Sequence, residues 1–349
     1  MPLNVDLLKR LCEAPGIASY ETSVRHLVRS ELSGIVDELR VDTMGSLVGL
    51  KRGEGNRRVM LAAHIDEIGF IVKHVEDEGF IRIHNVGGFD PRTLVAQRVI
   101  VHSSHGGALR GALMPESKPI HLQSADDSKP PKLEEFFVDV GLPGSQVREL
   151  VDLGDMVTLD RTAEVVGDCV MSKAMDDRVG VFVMLEALRQ VGSHRVDILA
   201  VATSQEEVGL RGATTAAFGL EPHIGVALDV TLAMDTPGAG KAATVSKLRG
   251  GTAIKLMDSS LICHPKLVRH FRDLAELHSI PHQLEILPRG GTDGGAIQRS
   301  RAGVPSITIS IPTRYVHTVD EMVAITDVEA TIALLARFLE DAHTRDYSL

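Results

Sequence analysis

The chain has 349 residues, 44% of them hydrophobic, enough for a large core in one or two domains. Acidic residues outnumber basic ones by 47 to 37, for a formal charge of −10, and only 3% of residues are aromatic, which argues against binding nucleic acid or an anionic membrane surface. Cys12, Cys169 and Cys263 are isolated, no run approaches a membrane span, and the opening MPLNVDLLKRLCEAPG has no continuous apolar stretch; these features argue against a stapled secreted fold and lead us to expect a cytoplasmic protein.

In chain order, residues 4–13 read as a helix capped by Asn4, with Leu7, Leu8 and Leu11 on one face. Residues 21–39 read as a second helix, from the spacing of Val24, Leu27, Val28, Leu32 and Ile35. VDTMGSLVGLK is a hairpin with Gly45 in its turn, and RRVMLAAH, 57–64, is a short buried strand. From about 71 to 165 the pattern becomes short alternating runs (FIVKHV, FIRIHNV, QRVIVHS, ALRGALM, FFVDV, DMVTLD), the spacing of a small β-barrel or sandwich. ADDSKPPKLEE, 125–135, reads as a mobile surface loop. Beyond 166, strands and helices alternate. DDRVGVFVMLEALRQVG is a helix, VDILAVAT a strand, GLRGATTAAFG a helix and HIGVALDV a strand. HPKLVRHFRDLAELHSI is a helix, SITISIP a strand and DVEATIALLARFLEDAH a helix. The expected architecture is an α/β sheet covered by helices, built from 1–70 plus 166–349 and interrupted by the β-rich insert 71–165.

Adjacent acids, Glu206 and Glu207, follow the apolar strand VDILAVAT within AVATSQEEVGLRGA. His64, Asp229 and His317 also follow predicted core strands, and Asp176 opens a helix. Ligands of open α/β sheets bind at the carboxyl ends of the strands, so these residues should share one edge. Imidazole and carboxylate donors without thiolate suit zinc, cobalt or manganese. Two histidines and three carboxylates can serve two ions roughly 3.5–4 Å apart if one carboxylate bridges, leaving one acid as a base. Alternation along a strand would send Glu206 and Glu207 to different tasks. Asp66, in HIDEIG, could orient the His64 imidazole.

HIDEIGF, KAMDDRVG, SQEEVGLRGA, ALDV and RYVHTVDEM, in that order over nearly the whole chain, resemble the motifs of the TET-type dinuclear metallo-aminopeptidases, with GGFDPRTL, FFVDVG and GGTDGGA as secondary matches. The long insert between His64 and Asp176 selects this family over related exopeptidases that lack one. The resemblance implies a zinc-exopeptidase-like fold, a mixed sheet sandwiched by helices, with an inserted β-barrel for dimerisation and assembly. It implies that His64 and Asp229 hold one divalent ion, that Glu207 and His317 hold the other, and that Asp176 bridges them. Glu206 becomes the general base and Asp66 the support of His64; Asp177 is the competing bridge, and the distance to Glu206 in the family pattern favours Asp176. The implied activity is release of N-terminal residues from short peptides through a metal-bridging water. The implied assembly is a dodecamer built from dimers.

The loop RGGTDGGA, 289–296, lacks the Gly-Lys-Ser/Thr ending of a phosphate loop and reads as a tight turn beside the substrate pocket, with Gly291, Thr292 and Asp293 as candidate substrate contacts. Arg178 reads as a structural ion-pair partner. His74 and His84 belong to strands of the insert, and His264, His270, His278 and His282 to a helix surface. Rival activities are another dinuclear metal hydrolase, such as a deacetylase or acylamino-acid hydrolase, and a glycosidase using paired carboxylates.

Overall fold

In the computed structural model, residues 3–118, 120–122, 130–240 and 244–348 are described. The chain opens with α1 (Val5–Glu13), α2 (Thr22–Leu32), β1 (Glu38–Val41), β2 (Leu47–Lys51) and β3 (Arg58–His64). A second group follows: β4 (Gly69–Val75), β5 (Ile81–Val86), β6 (Gln97–Ser103), β7 (Gly107–Pro115), β8 (Phe136–Asp139), α3 (Gly144–Leu150) and β9 (Met156–Leu159). The remainder comprises β10 (Glu164–Val166), β11 (Cys169–Ser172), α4 (Met175–Gln190), β12 (Asp197–Thr203), α5 (Arg211–Leu220), β13 (Ile224–Leu232), β14 (Thr252–Met257), α6 (Pro265–Leu277), β15 (His282–Ile286), α7 (Asp293–Gln298), β16 (Ser306–Arg314), β17 (Glu321–Ala324) and α8 (Ile325–Asp341).

The large sheet runs β1-β2-β12-β3-β13-β16-β17-β11-β10, with β14 joined to β16 and β15 at its outer side. Its centre, β12, β3, β13 and β16, is parallel. Central parallel strands are covered on both faces and carry continuous apolar runs, as VMLAA of β3 does. One face packs α1, α4, α6 and α8 through residues such as Leu8, Val183, Phe271 and Leu335. The other packs Met60, Ala62 and Val201 against Ala216 and Ala217 of α5 and Ile297 of α7. Helix α4 is buried along nearly its whole length, which is why its sequence is apolar almost all round.

The insert closes into a six-stranded antiparallel barrel, β4-β5-β8-β7-β6-β9, with its own core around Phe70, Val99, Leu113 and Phe136. Its strands begin at Gly69 and end at Leu159, and β10 already belongs to the large sheet.

Several expectations need correction. The second helix stops at Leu32 rather than continuing to 39; Gly34 takes φ +84°, which a right-handed helix does not accommodate, and Glu38–Val41 become the first strand. Strands β14 and β15 escaped the sequence reading because Lys255 and Glu285 interrupt their apolar patterns. Of the expected loop 125–135, residues 125–129 lie outside the described residues, and Leu133–Glu135 form one 3₁₀ turn before β8.

Candidate metal centre

Strands β3 and β12 run in register, so His64 lies beside Thr203, the last residue of β12. Asp229 sits inside β13, three residues short of its end, and His317 follows β16 in a turn with φ +63°. Asp176 opens α4 with non-helical backbone angles. These segments converge on one edge of the sheet, as the parallel topology requires.

Both carboxylate oxygens of Asp176 are engaged. Its Oδ1 lies 3.1 Å from His64 Nε2 and its Oδ2 lies 3.4 Å from His317 Nε2. Glu207 Oε1 is 3.5 Å from His317 Nε2, and Glu206 Oε2 is 3.8 Å from His64 Nε2. Donor atoms of His64, Asp176 and Asp229 form one set within 4.8 Å of one another, and those of Asp176, Glu207 and His317 form another. A third set, His64, Glu206 and Glu207, overlaps both. The donor chemistry, nitrogen and carboxylate oxygen without sulfur, suits a divalent ion such as zinc.

Both imidazoles are oriented from behind. His64 Nδ1 donates to the Asp66 carbonyl at 3.0 Å, and His317 Nδ1 donates to the Gly88 carbonyl at 2.8 Å. A carbonyl only accepts, so each ring carries a proton on Nδ1, which leaves Nε2 as the nitrogen that a bound cation would take in place of its proton. Gly88 comes from the loop after β5, so the barrel domain helps to aim a residue of the large sheet.

Three further buried carboxylates hold the backbone of the site. Asp66 accepts the N–H of Glu206 at 2.9 Å and of Glu207 at 3.1 Å. Asp177 accepts the N–H of His64 at 3.2 Å and of Gly180 at 3.1 Å. Glu321 accepts the N–H of Asp176 at 3.0 Å and of His317 at 2.6 Å. A Cβ on Gly180 would fall 2.3 Å from the Asp177 carboxylate, so glycine lets that carboxylate fold back over the first turn of α4. Asp66 faces His64 Nδ1 with its carbonyl at 3.0 Å and its Oδ1 at 3.6 Å, and its carboxylate also organises the Glu206–Glu207 loop. That loop lies beyond the end of β12, so strand alternation does not separate the two glutamates; their backbone anchors do.

Electrostatically, the acids of the cluster outnumber its two imidazoles. Burial raises the affinity of Asp229 and Glu206 for a proton, and neighbouring carboxylates add to it, against the pull of His64. Burial also pushes Glu321 up to about 8, with Asp176 adding to the shift. For His317, burial disfavours the cation, yet Asp176 and Glu207 outweigh it and push the imidazole up to about 12. Burial opposes ionisation of Asp176 too, but the two histidines hold its carboxyl below the usual carboxylate range.

A cleft of about 550 Å³ opens over the cluster, with Leu210, Leu232, Leu287 and Val316 among its apolar walls. Gly291 and Thr292 line it, but Asp293 does not: its carboxylate turns under the loop to accept the Thr203 hydroxyl at 2.5 Å, where the start of α7 packs on the sheet. Arg178 is more than an ion-pair partner. It is fully buried and donates to the carbonyls of Leu11 at 2.6 Å, Ala14 at 2.8 Å and Gly16 at 3.3 Å, with Glu67 3.8 Å away. His74, His84 and His278 are exposed. His264 and His270 are buried instead, and His270 bridges the Tyr347 hydroxyl at 2.6 Å and the Asp341 carboxylate at 2.8 Å, tying the C-terminal tail to α6. Sequence reasoning missed Glu321, although it lies in the quoted RYVHTVDEM. An acid four residues after His317 was its only signal.

Residues 45–334 match the model of the M42 glutamyl aminopeptidase family. The chain belongs to that family. The lysyl aminopeptidase of Pyrococcus furiosus is 34% identical over 98% of this chain and 99% of the relative. An aminopeptidase structure from the archaeon Desulfurococcus kamchatkensis superposes with TM-score 0.92 at 39% identity, covering 97% of this chain and 94% of that one. The TET1 peptidase of Pyrococcus horikoshii, which can assemble into a tetrahedron or a large octahedral shell, superposes with TM-score 0.85 at 30% identity, covering 96% of this chain and 98% of that one. The chain is accordingly a hydrolase of peptide bonds, an aminopeptidase of the metal-dependent kind. Among the described residues no helix is long and apolar enough to cross a membrane.

Proposed function

We propose that the chain releases N-terminal residues from short peptides at a centre for two divalent ions, zinc, cobalt or manganese. His64 and Asp229 would hold one ion, Glu207 and His317 the other, and Asp176 both. The observation that carries this reading is the division of Asp176 between the two histidines, one oxygen facing each. Bound there, divalent ions supply Lewis-acid polarisation of the scissile carbonyl and lower the pKa of an attacking water towards neutrality. Glu206 takes the proton from that water and delivers it to the leaving amine nitrogen; its position 3.8 Å from His64 Nε2 puts its carboxylate at the cluster. The free amino group of the peptide would sit against this acidic centre, which makes cleavage exopeptidic. Asp66 positions Glu206 and Glu207, and Gly291 and Thr292 border the bound residue.

Glu206→Gln should retain metal and lose about 10²–10⁴-fold in turnover. Hydrolysis of an aminoacyl p-nitroanilide at the wild-type rate by that variant would remove Glu206 from the reaction. Chelation should abolish activity, whereas a glycosidase using two carboxylates would survive it; such a mechanism also leaves both histidines without a task. A deacetylase or acylamino-acid hydrolase would turn over N-acetylated substrates, which an aminopeptidase anchored by a free amine rejects.

The likeness to the TET1 peptidase supports assembly of this chain from dimers to a dodecamer, with the insert 71–165 as the contact domain. We place the protein in the cytoplasm, where its three free, buried cysteines would stay reduced.

A further inference from the structure

We infer that Arg289 selects the side chain of the residue being released, favouring a carboxylate and disfavouring an ammonium group. The inference rests on the aminopeptidase reading and goes beyond it, because the family is named for glutamyl substrates and the Pyrococcus furiosus relative for lysyl ones.

The charged groups lining the cleft are His64, Asp176, Glu206, Glu207, Asp229, His317 and Arg289, and all but Arg289 belong to the candidate metal centre. Arg289 is exposed towards the cleft, and among the described residues its guanidinium has no hydrogen-bond or ion-pair partner. Other arginines of nearby segments are committed. Arg314 pairs twice with Asp235, Arg299 donates to the Gly295 carbonyl and Arg301 pairs with Glu221.

The loop that carries Arg289 is tied down on both sides. Leu287 N–H donates to the Met257 carbonyl at 3.0 Å, and Ser259 N–H donates to the Gly290 carbonyl at 3.1 Å, joined by the Ser259 hydroxyl. Gly290 takes φ +96°, which lets the chain turn directly after Arg289. Thr292 is then held by its hydroxyl, 3.2 Å from Asp258 and 2.8 Å from the Thr308 hydroxyl. The cation is thus presented from a fixed backbone into a cleft with aliphatic walls.

Aliphatic walls accept the methylenes of a side chain, and a free guanidinium fork at the rim matches a carboxylate in two-pronged geometry. The same cation repels the ammonium of a lysyl side chain. A charge-assisted contact of this kind corresponds to about 10- to 100-fold in discrimination.

The test uses the full-length, metal-loaded protein with glutamyl, leucyl and lysyl p-nitroanilides, which carry no C-terminal carboxylate. In the wild type, kcat/KM for the glutamyl substrate should exceed that for the lysyl one. In Arg289→Ala the glutamyl-to-leucyl ratio should fall about 10- to 100-fold, mainly through KM, and Arg289→Glu should turn the preference towards lysyl. Inhibition by free glutamate should weaken in the same order, a binding readout that does not depend on turnover. An unchanged ratio in Arg289→Ala with the leucyl substrate still cleaved overturns the role of Arg289 alone. So does a defect confined to dipeptides, which would give Arg289 the C-terminal carboxylate instead. Failure of the loaded wild type to cleave any of the three overturns the aminopeptidase reading, and this inference with it.

Discussion

Asp66, Asp177 and Glu321 are each no more than 2% exposed, and each spends its carboxylate on two backbone N–H groups belonging to the candidate ligands or their neighbours. Side-chain rotamers alone do not fix a ligand whose backbone can drift, and these acids remove that drift at His64, Asp176, the Glu206–Glu207 loop and His317, while Asp229 is held within β13. Glu321 links the start of α4 to the turn after β16, so it couples the proposed bridging residue to the most exposed of the candidate ligands. Glu321→Ala frees both N–H groups, and outer partners of this kind are worth about 10- to 100-fold in metal affinity. Calorimetric titration of the chelated variant with zinc should show that loss. Affinity equal to the wild type would leave Glu321 as a purely structural acid.

At the scale of elements, strands β14 and β15 extend the sheet beyond β16 and carry a buried ion pair. Lys255 Nζ lies 2.6 Å from Glu285 Oε1, both side chains are fully buried, and the Ser310 hydroxyl donates to the same oxygen at 2.6 Å. Ser310 neighbours Asp229 in the register of β16 with β13, so this pair belongs to a polar layer beneath the candidate site. Lys255→Met alone strands the Glu285 charge and should cost about 3–5 kcal/mol in urea unfolding. Lys255→Met with Glu285→Leu should recover most of that loss, because two well-packed apolar side chains can replace a buried pair at little net cost. A double variant as unstable as the single one would mean that the pair itself, rather than the stranded acid, sustains the edge.

For the whole molecule, the acidic cluster makes stability depend on bound cations and on pH. Without metal, Glu321 has a folded pKa raised to about 8, so the folded state holds its proton more tightly than the unfolded state does. That contribution is fully present below the unfolded value and is lost as pH rises through the folded one, from about 4.5 to about 8. Glu206 and Asp229 shift in the same direction. His317, raised from 6.5 to about 12, adds a loss that begins as pH passes about 6.5. Asp176 has the opposite sign, but its window lies below its unfolded value of 3.8, outside this range. The melting temperature of the chelated protein should therefore fall between pH 5 and pH 8, roughly the interval over which these acids ionise, and saturating metal should remove most of the fall. A flat or rising profile for the chelated protein would show that the cluster carries no such strain.

Local pattern determined much of this protein. The apolar runs of β3, β12, β13 and β16, the helical periodicities, and the placing of a histidine or an acid just beyond a strand are properties of short segments, and they were enough to expect an interrupted α/β sheet with its chemistry at one edge. Tertiary structure decided what depends on a partner far away in the chain. Lys255 and Glu285 carry no sequence signal of the pair they form, and His270 reads as a surface residue until the C-terminal tail folds over it. Glu321 is one acid among many until the backbones of Asp176 and His317 arrive at its two oxygens. A hydrogen bond between distant segments leaves no periodicity in the sequence, because its geometry exists only once the sheet has brought both ends together.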